Sequence, residues 1–554
     1  GHERTCEGLR AVAASREERL AAERACGRNE ARGCFELGRR HAEGVGVARD
    51  ESRAAALYTR ACEGRHLEAC DALARLRLES SGPERDDARA GSLAARACDG
   101  GFAPGCVTLG WMHARGRGVG RDEARAATFY RRACDGGDAS GCESLAWVYL
   151  QGSGVTRDDA QAARLYGRAC EMGDRRGCLF LGWVHETGRG ADRDDARAAA
   201  LYRRSCEAGE PEACRRLGWL VDEGRGVALD VVEAARWFER ACTGGDDDGC
   251  LRWGRALALG RGAVADPGRA LEVMVASCDR GSAMCCYDAG TLLAQGRSAA
   301  RDVAQADARW AQAAGILRRE CDAGDHAGSC GELGNQYRYG RGVARDARQA
   351  RAFLERACAT MPVYCIDLGV LLRTGPAEAG RDARAAGWFE RACDAGLAEG
   401  CVQFADALER GAGVARDAAR AVTLRQRAIE VLEGVLEANA DGSIGLTLGR
   451  LYLAGRGVPV NPTRAALVLQ NGCDRGHAEA CGELAGLYAR GEGVAQDGAR
   501  AAALRQGACA LGDARSCAPG YRRPAATRPT APAVPTVAEP PTVGAPLPWD
   551  GAVS

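Results

Sequence analysis

Cysteine returns along this chain on a fixed step. The first members of a series of pairs fall at Cys26, Cys62, Cys98, Cys134, Cys170, Cys206, Cys242 and Cys278, 36 residues apart. Each is followed eight residues later by a partner, at Cys34, Cys70, Cys106, Cys142, Cys178, Cys214, Cys250 and Cys286. A fixed period between about 20 and 50 residues marks a repeat array, in which each unit buries its apolar face only against its neighbours. The 554 residues are therefore not read as three or four unlike domains, the number that length alone suggests at roughly 150 residues each. One solenoid with a continuous core is expected.

Five later pairs, Cys321/Cys330, Cys358/Cys365, Cys393/Cys401, Cys473/Cys481 and Cys509/Cys517, continue the series with small departures. From a second cysteine to the next first one the count is 28 almost everywhere, whereas the gap between partners varies from seven to nine. The segment between pairs is thus the rigid part. Its clearest copy is CESLAWVYLQGSGVTRDDAQAARLYGRAC, Cys142 to Cys170. Leu145 and Tyr149 recur at i, i+4 on one helical face, Gly152 and Gly154 end that helix, and Asp158 is a good N-cap for a second. Ala162, Leu165, Tyr166 and Ala169 form the second apolar stripe, with Gly173 supplying the left-handed cap past Cys170. Ala146 stands where most copies carry glycine, as at Gly110, and a small residue there lets a neighbouring helix approach closely. Each unit is predicted to be a helix hairpin. Two units depart from 28 in the same way: Cys286 to Cys321 and Cys401 to Leu436 both count 35. Seven extra residues are two helical turns, so both are read as units with lengthened second helices. Leu436 and Gly445 replace the cysteines of the later one, and Asn439 stands where Gly324 makes the C-cap.

These features divide the chain into a helical N-terminal cap over residues 1–33, a solenoid over 34–517 with elongated units near 286–321 and 401–445, and a tail over 518–554. Nine of the 17 prolines lie between Pro519 and Pro548; a segment of Pro, Ala, Thr and Val packs no core and is expected to be disordered. Its Trp549 end has the character of a polyproline ligand, with a plain flexible tail as the simpler reading.

Thirteen pairs account for 26 of the 28 cysteines. Cysteines paired this regularly read as a disulfide framework in an oxidising compartment. Each bridge would close a nine-residue loop and stabilise by about 2.5 kcal/mol in the chain-entropy picture. Two other readings compete. Zinc wants C-x₂₋₄-C pairs converging in fours, and here the spacing is wider, with only seven histidines in the chain; buried reduced thiols of a cytosolic protein are the other. Cys6 and Cys285 stand outside the scheme. Either Cys285 or Cys286 is open as the partner of Cys278. Cys6, near a terminus, is expected to be an accessible thiol able to link two copies into a covalent dimer.

The stretch LGWMHARGRGVGRDEARAATFYRRACDGGDASGC, Leu109 to Cys142, resembles the Sel-1-like repeat, a relative of the tetratricopeptide repeat, and specifically the cysteine-rich Hcp-like secreted proteins. The resemblance runs over roughly residues 26 to 517. It implies an all-α superhelix of about thirteen units, with a disulfide joining the second helix of one unit to the first helix of the next. It also implies β-lactam binding and weak β-lactam hydrolysis.

The residues themselves lend that activity no support. Formal charge is balanced at 75 basic against 75 acidic residues, so no bulk field draws the chain to nucleic acid or an anionic membrane. No lysine occurs, which removes a Walker lysine, a Schiff base and a Ser-x-x-Lys acyl-transfer site. HExxH, GxSxG and GxxxxGK are absent, and no cofactor or metal is expected. Most histidines are placed in helices, with His41, His113 and His185 in a slot that Tyr149 and Tyr452 fill elsewhere, a packing position. No run reaches 18 apolar residues, so nothing spans a bilayer. The chain starts at Gly1 without methionine or an apolar targeting stretch, which fits a signal already removed, or simple trimming.

One feature points to binding. Trp111, Trp147, Trp183 and Trp219 each lie five residues after a second cysteine, although the chain holds only nine tryptophans. Such a column would suit an extended peptide or a glycan strand on an inner face; a packed ladder between adjacent first helices is the alternative. The recurrent arginines of the turn, Arg117, Arg121 and Arg225, are read as solvated. The expectation is a secreted or periplasmic, disulfide-stapled scaffold whose partner is a protein, a peptide or a cell-wall component, with a β-lactam-binding protein as the second reading.

Overall fold

The first helix of each hairpin begins before its cysteine, and the reason is a cap. Asp138 Oδ1 accepts from the Gly141 N–H at 2.8 Å and starts the helix Ala139–Gln151. Gly152, at φ 72°, ends it by donating its N–H to the Val148 carbonyl. Asp158 starts the second helix, Asp159–Glu171, by accepting from the Gln161 N–H at 2.8 Å. Capping of this kind satisfies the orphan donors of a helix terminus. The boundary at residues 33/34 accordingly falls inside the helix Ala31–Glu43. Histidine serves as a cap too: His66 and His477 accept through Nδ1 from Ala69 and Ala480, and His326 also holds an N-cap position. Placing most histidines in helices is therefore corrected, since only His41, His113 and His185 of the described ones lie inside helices.

The computed structural model describes residues 17–80, 85–296, 301–324, 326–375, 378–436, 442–511 and 513–517. Cys6, Asn439 and the segment 518–554 lie outside them. Among the described residues every regular element is helical, and the chain divides into two compact units, one running to Ala213 and the other from Cys214. The first holds a helix over 17–27 and five hairpins, ending with Arg175–Thr187 and Asp195–Glu207. The second begins within the helix Pro211–Glu223 and continues to Gly498–Leu511. The two lengthened second helices are Val303–Ala323, of 21 residues, and Ala418–Leu436, of 19, where most others have 13.

Within a hairpin, small residues set the spacing. Ala162, Ala163 and Tyr166 of the second helix are buried in one cluster with Ala146 and Leu150 of the first. A Cβ on Gly110 would stand 2.8 Å from the ring of Tyr130, so glycine there makes room for the fully buried tyrosine of its own second helix. Between hairpins the turn is the contact. Gly118, at φ 68°, is seated so that a Cβ would meet the Asp87 carbonyl of the preceding repeat at 1.8 Å. Beside it Arg117 donates to both Asp87 oxygens, at 3.1 and 3.0 Å, and to the Leu78 carbonyl at 2.9 Å. Arg121 keeps the solvated, local role read for it, pairing with Glu123. Arg117 does not, because the turn brings it onto a carboxylate 30 residues upstream.

Disulfides join the end of one second helix to the first turn of the next first helix. Bridges link Cys26–Cys34, Cys62–Cys70, Cys98–Cys106, Cys134–Cys142 and Cys170–Cys178 in the first compact unit. In the second they link Cys242–Cys250, Cys278–Cys286, Cys321–Cys330, Cys358–Cys365, Cys393–Cys401, Cys473–Cys481 and Cys509–Cys517. Cys206 and Cys214 are each disulfide-bonded. Cys285 is free and buried, with Sγ 3.7 Å from the Asp247 carbonyl, and burial pushes its thiol up. So many bridges belong to an oxidising environment.

A second tie accompanies the bridges. Arg168 donates through Nη2 to the Cys134 carbonyl at 2.9 Å, and Arg204 to that of Cys170 at 2.8 Å, each reaching 34 residues upstream. The acceptor is one of the last carbonyls of the preceding second helix, which no intrahelical donor reaches. In the lengthened repeat Gln312 takes the same offset, 34 residues beyond Cys278, and donates to its carbonyl at 3.4 Å. The seven additional residues therefore follow the junction with the preceding repeat. They carry Cys321 two turns further along the same face, where it bonds Cys330.

Candidate functional site

In the first compact unit the helices Leu67–Glu79, Ala103–Arg115, Ala139–Gln151 and Arg175–Thr187 come from four successive hairpins, and each touches the next. A groove with a cavity of about 260 Å³ opens among them, with Tyr130 of a second helix in its lining. Two of its four acidic members sit directly after second cysteines. Asp71 follows Cys70 and Glu143 follows Cys142, at a position that carries Phe35, Val107 and Leu179 in other copies. The fold puts that position into the packed wall, so these two carboxyls are only 2% and 8% exposed.

Their surroundings differ. Asp71 Oδ1 accepts from the Thr108 hydroxyl at 2.7 Å, and Arg75 Nε stands 3.4 Å from Oδ2. Burial nevertheless raises its affinity for a proton, with Arg75 and Thr108 pulling the other way. Glu143 has Arg176 Nη2 at 3.6 Å, beyond hydrogen-bond reach. Burial pushes its pKa up to about 7, Arg176 offsetting only part of the effect. Two neutral groups in the lining also lack partners: the Trp111 Nε1–H, on a side chain 8% exposed, and the hydroxyl of the fully buried Tyr130. Buried polar atoms are normally paired, and one that is not carries a free-energy penalty until something bonds it. The groove thus offers a donor and a hydroxyl without partners, and a carboxyl held only by an ion pair at 3.6 Å.

Only one of the four aligned tryptophans enters it. Trp111 lines the cavity, under the guanidinium of Arg117 at 5.3 Å. Trp147 is half-buried, 6.1 Å from the Phe180 ring, and Trp183 is half-buried under Arg189. Both pack against the cluster of Ala146, Tyr166 and Val184. Trp219 belongs to the second compact unit, 39% exposed, with Arg252 4.3 Å over its ring. A larger cavity of about 960 Å³ in that unit is lined by Glu332 and Tyr364. There the polar groups satisfy one another, Tyr364 Oη bonding the Gly328 carbonyl at 3.2 Å and Glu332 at 3.1 Å. Among the described residues no cluster of three or more His, Cys, Asp or Glu side chains is placed to hold a metal ion. His113 and His185 pack in the first helices with Nδ1 3.2 Å from the carbonyls of Gly120 and Asp192.

The family model described as Sel1 repeat matches residues 31–66, 67–102, 103–138, 139–174, 176–210, 211–246, 328–359, 362–397, 398–430, 448–477 and 478–513. Among solved structures the chain is similar to c5321, a protective antigen present in uropathogenic Escherichia coli strains and displaying an SLR fold. That match has 22% identity, 86% of this chain and 99% of that one, and a TM-score of 0.46. It is similar to a Sel1 repeat protein from Oxalobacter formigenes at 20% identity, over 47% of this chain and 96% of that one, with a TM-score of 0.38. With Helicobacter pylori cysteine rich protein B the identity is 25%, over 24% of this chain and 96% of that one, with a TM-score of 0.21. No curated protein matches the chain.

Proposed function

The chain belongs to the Sel1-repeat family, whose repeats serve as protein–protein interaction scaffolds, and from that premise we propose that it is an exported, disulfide-stapled scaffold that docks an extended protein segment in the groove over residues 71–176. The observation that carries this reading is the set of buried polar groups without hydrogen-bond partners on residues that line one cavity. A bound segment offers the backbone donors and acceptors that such groups require. The disulfides support export, because bridges persist in oxidising compartments and are rare in the cytosol. No helix among the described residues is long and apolar enough to cross a membrane.

Site-specific photo-crosslinking tests the docking surface. A crosslinker at Arg75, in the groove, should capture one extended segment of a secreted or envelope protein, whereas the same group at the exposed Arg125 of a second helix should not. Equal capture from both faces, or capture from Arg125 alone, would remove the groove from the reading. Replacing Trp147 and Trp183 by alanine separates the aromatic column from core packing. Half-buried rings packed in the repeat predict a loss of stability approaching the roughly 3–5 kcal/mol of core truncations, and lost binding with the fold unchanged would restore the column as the docking face. Nitrocefin turnover that disappears on reduction would favour the β-lactam reading instead.

A further inference from the structure

Glu143 is the one carboxyl of the groove wall that accepts no hydrogen bond, its one opposite charge being Arg176 in an ion pair at 3.6 Å. Arg75 is committed to Asp71, and Arg175 to Glu210 at 3.2 Å. Asp138 and Asp174 are occupied as N-caps, accepting from the N–H groups of Gly141 and Gly177. Arg176 stands off at 3.6 Å, and the remaining charged groups that act on Glu143, Asp174 and Glu210, are acidic. The second helices beneath it contribute the hydroxyls of Tyr130 and Tyr166, both buried and without partners, and the preceding first helix contributes Val107, Thr108 and the Trp111 Nε1–H. An occupant must bring a strong donor for the carboxylate and an acceptor for the indole. At about 260 Å³ the cavity falls below the roughly 300–1,000 Å³ of small-molecule sites, so it suits one residue of a longer chain.

We propose that the groove selects a basic residue of the docked segment, its cationic side chain pairing with Glu143 while its backbone carbonyl accepts from the Trp111 indole. This rests on the groove being the docking surface and adds the chemistry it recognises. Pairing with a cation ionises Glu143, so binding releases a proton. With the empty site half protonated near neutrality, about half a proton should be released at pH 7 and almost none at pH 8.5. Affinity should fall by up to about tenfold for each pH unit that the pH drops below 7, and level off above 7.

The test uses the full oxidised chain and two blocked pentapeptides, Ac-Ala-Ala-Arg-Ala-Ala-NH₂ and its citrulline analogue, which keeps the shape and loses the charge. Calorimetry in buffers of different ionisation heat gives both the affinity and the proton count. The arginine peptide should bind at least about tenfold tighter than the citrulline one, and Glu143→Gln should abolish the difference. Both peptides should shift the Trp111 indole N–H resonance, assigned with Trp111→Phe. Equal affinity for the two peptides, a preference that survives Glu143→Gln, or binding without proton release would overturn the basic-residue inference. A shifted Trp111 resonance in those cases would leave the groove standing as a docking surface. If neither peptide binds the inference fails, and failed crosslinking from Arg75 as well would take the docking reading with it. The peptide comparison and proton count are made on the unaltered chain, so they decide the matter even if the variant is poorly folded.

Discussion

Glu143 places a titration inside the fold. In the unfolded chain it ionises near the ordinary glutamate pKa of about 4.3, and in the folded chain at about 7. Below the first value the carboxyl is protonated in both states and no penalty arises. As the pH rises from there to about 7 the unfolded chain loses its proton first, so stability falls; above 7 both states are ionised and the loss is constant. The window corresponds to about 4 kcal/mol at most. Glu143→Gln removes it, and amide exchange of the helix 139–151 should show the variant more protected by about 3–4 kcal/mol at pH 8 and by about 1 kcal/mol at pH 5. Parallel behaviour of the two chains would mean a solvated carboxyl. Asp87 behaves oppositely: hydrogen bonds from Arg117 and Arg85 hold its pKa down at about 2, so the tie it makes between repeats is present above its usual range and is lost as the pH falls toward 2. Neither environment is legible in the sequence. A carboxyl after Cys142, where other copies have Phe35, Val107 or Leu179, was the available signal, but its burial depends on helices from neighbouring repeats.

At the scale of the element, what the sequence predicts well is what local physics decides. Gly152 and Asp158 end one helix and start the next through bonds within a few residues, and the hairpin follows from them. An arginine stands two places before ten of the thirteen first cysteines, yet the acceptor of Arg168 lies 34 residues upstream and no spacing rule names it. Arg168 is 45% exposed, so the charge-assisted bond to the Cys134 carbonyl is partly screened and worth about 1 kcal/mol. Arg168→Ala should weaken amide-exchange protection in the repeats on either side by about that amount. Arg168→Lys should recover part of it, because a single ammonium lacks the planar fork that also reaches Asp135 at 3.3 Å. Full recovery by lysine would show that charge alone, rather than guanidinium geometry, holds the junction.

At the scale of the whole molecule each bridge closes a short loop between nearest neighbours, so the stapling is local many times over. In such an array stability is close to a sum of repeat and interface contributions, and damage at one junction stays near it. Replacing Cys134 and Cys142 together by alanine removes a nine-residue loop closure worth about 2.5 kcal/mol. The two helices it joins, Glu123–Asp135 and Ala139–Gln151, should lose amide-exchange protection by about that amount, while Glu51–Glu63, two hairpins upstream, keeps its own. Complete reduction removes every such contribution at once and should collapse protection throughout the chain. Cys285 reports the difference, because it is buried and free in the oxidised fold: it should resist alkylation in the native state and in the Cys134/Cys142 variant, and react only when the repeat around Cys278–Cys286 opens. If the single missing bridge instead exposes Cys285 and unfolds Glu51–Glu63 along with the mutated junction, the repeats unfold as one cooperative body and the bridges act on the chain as a whole.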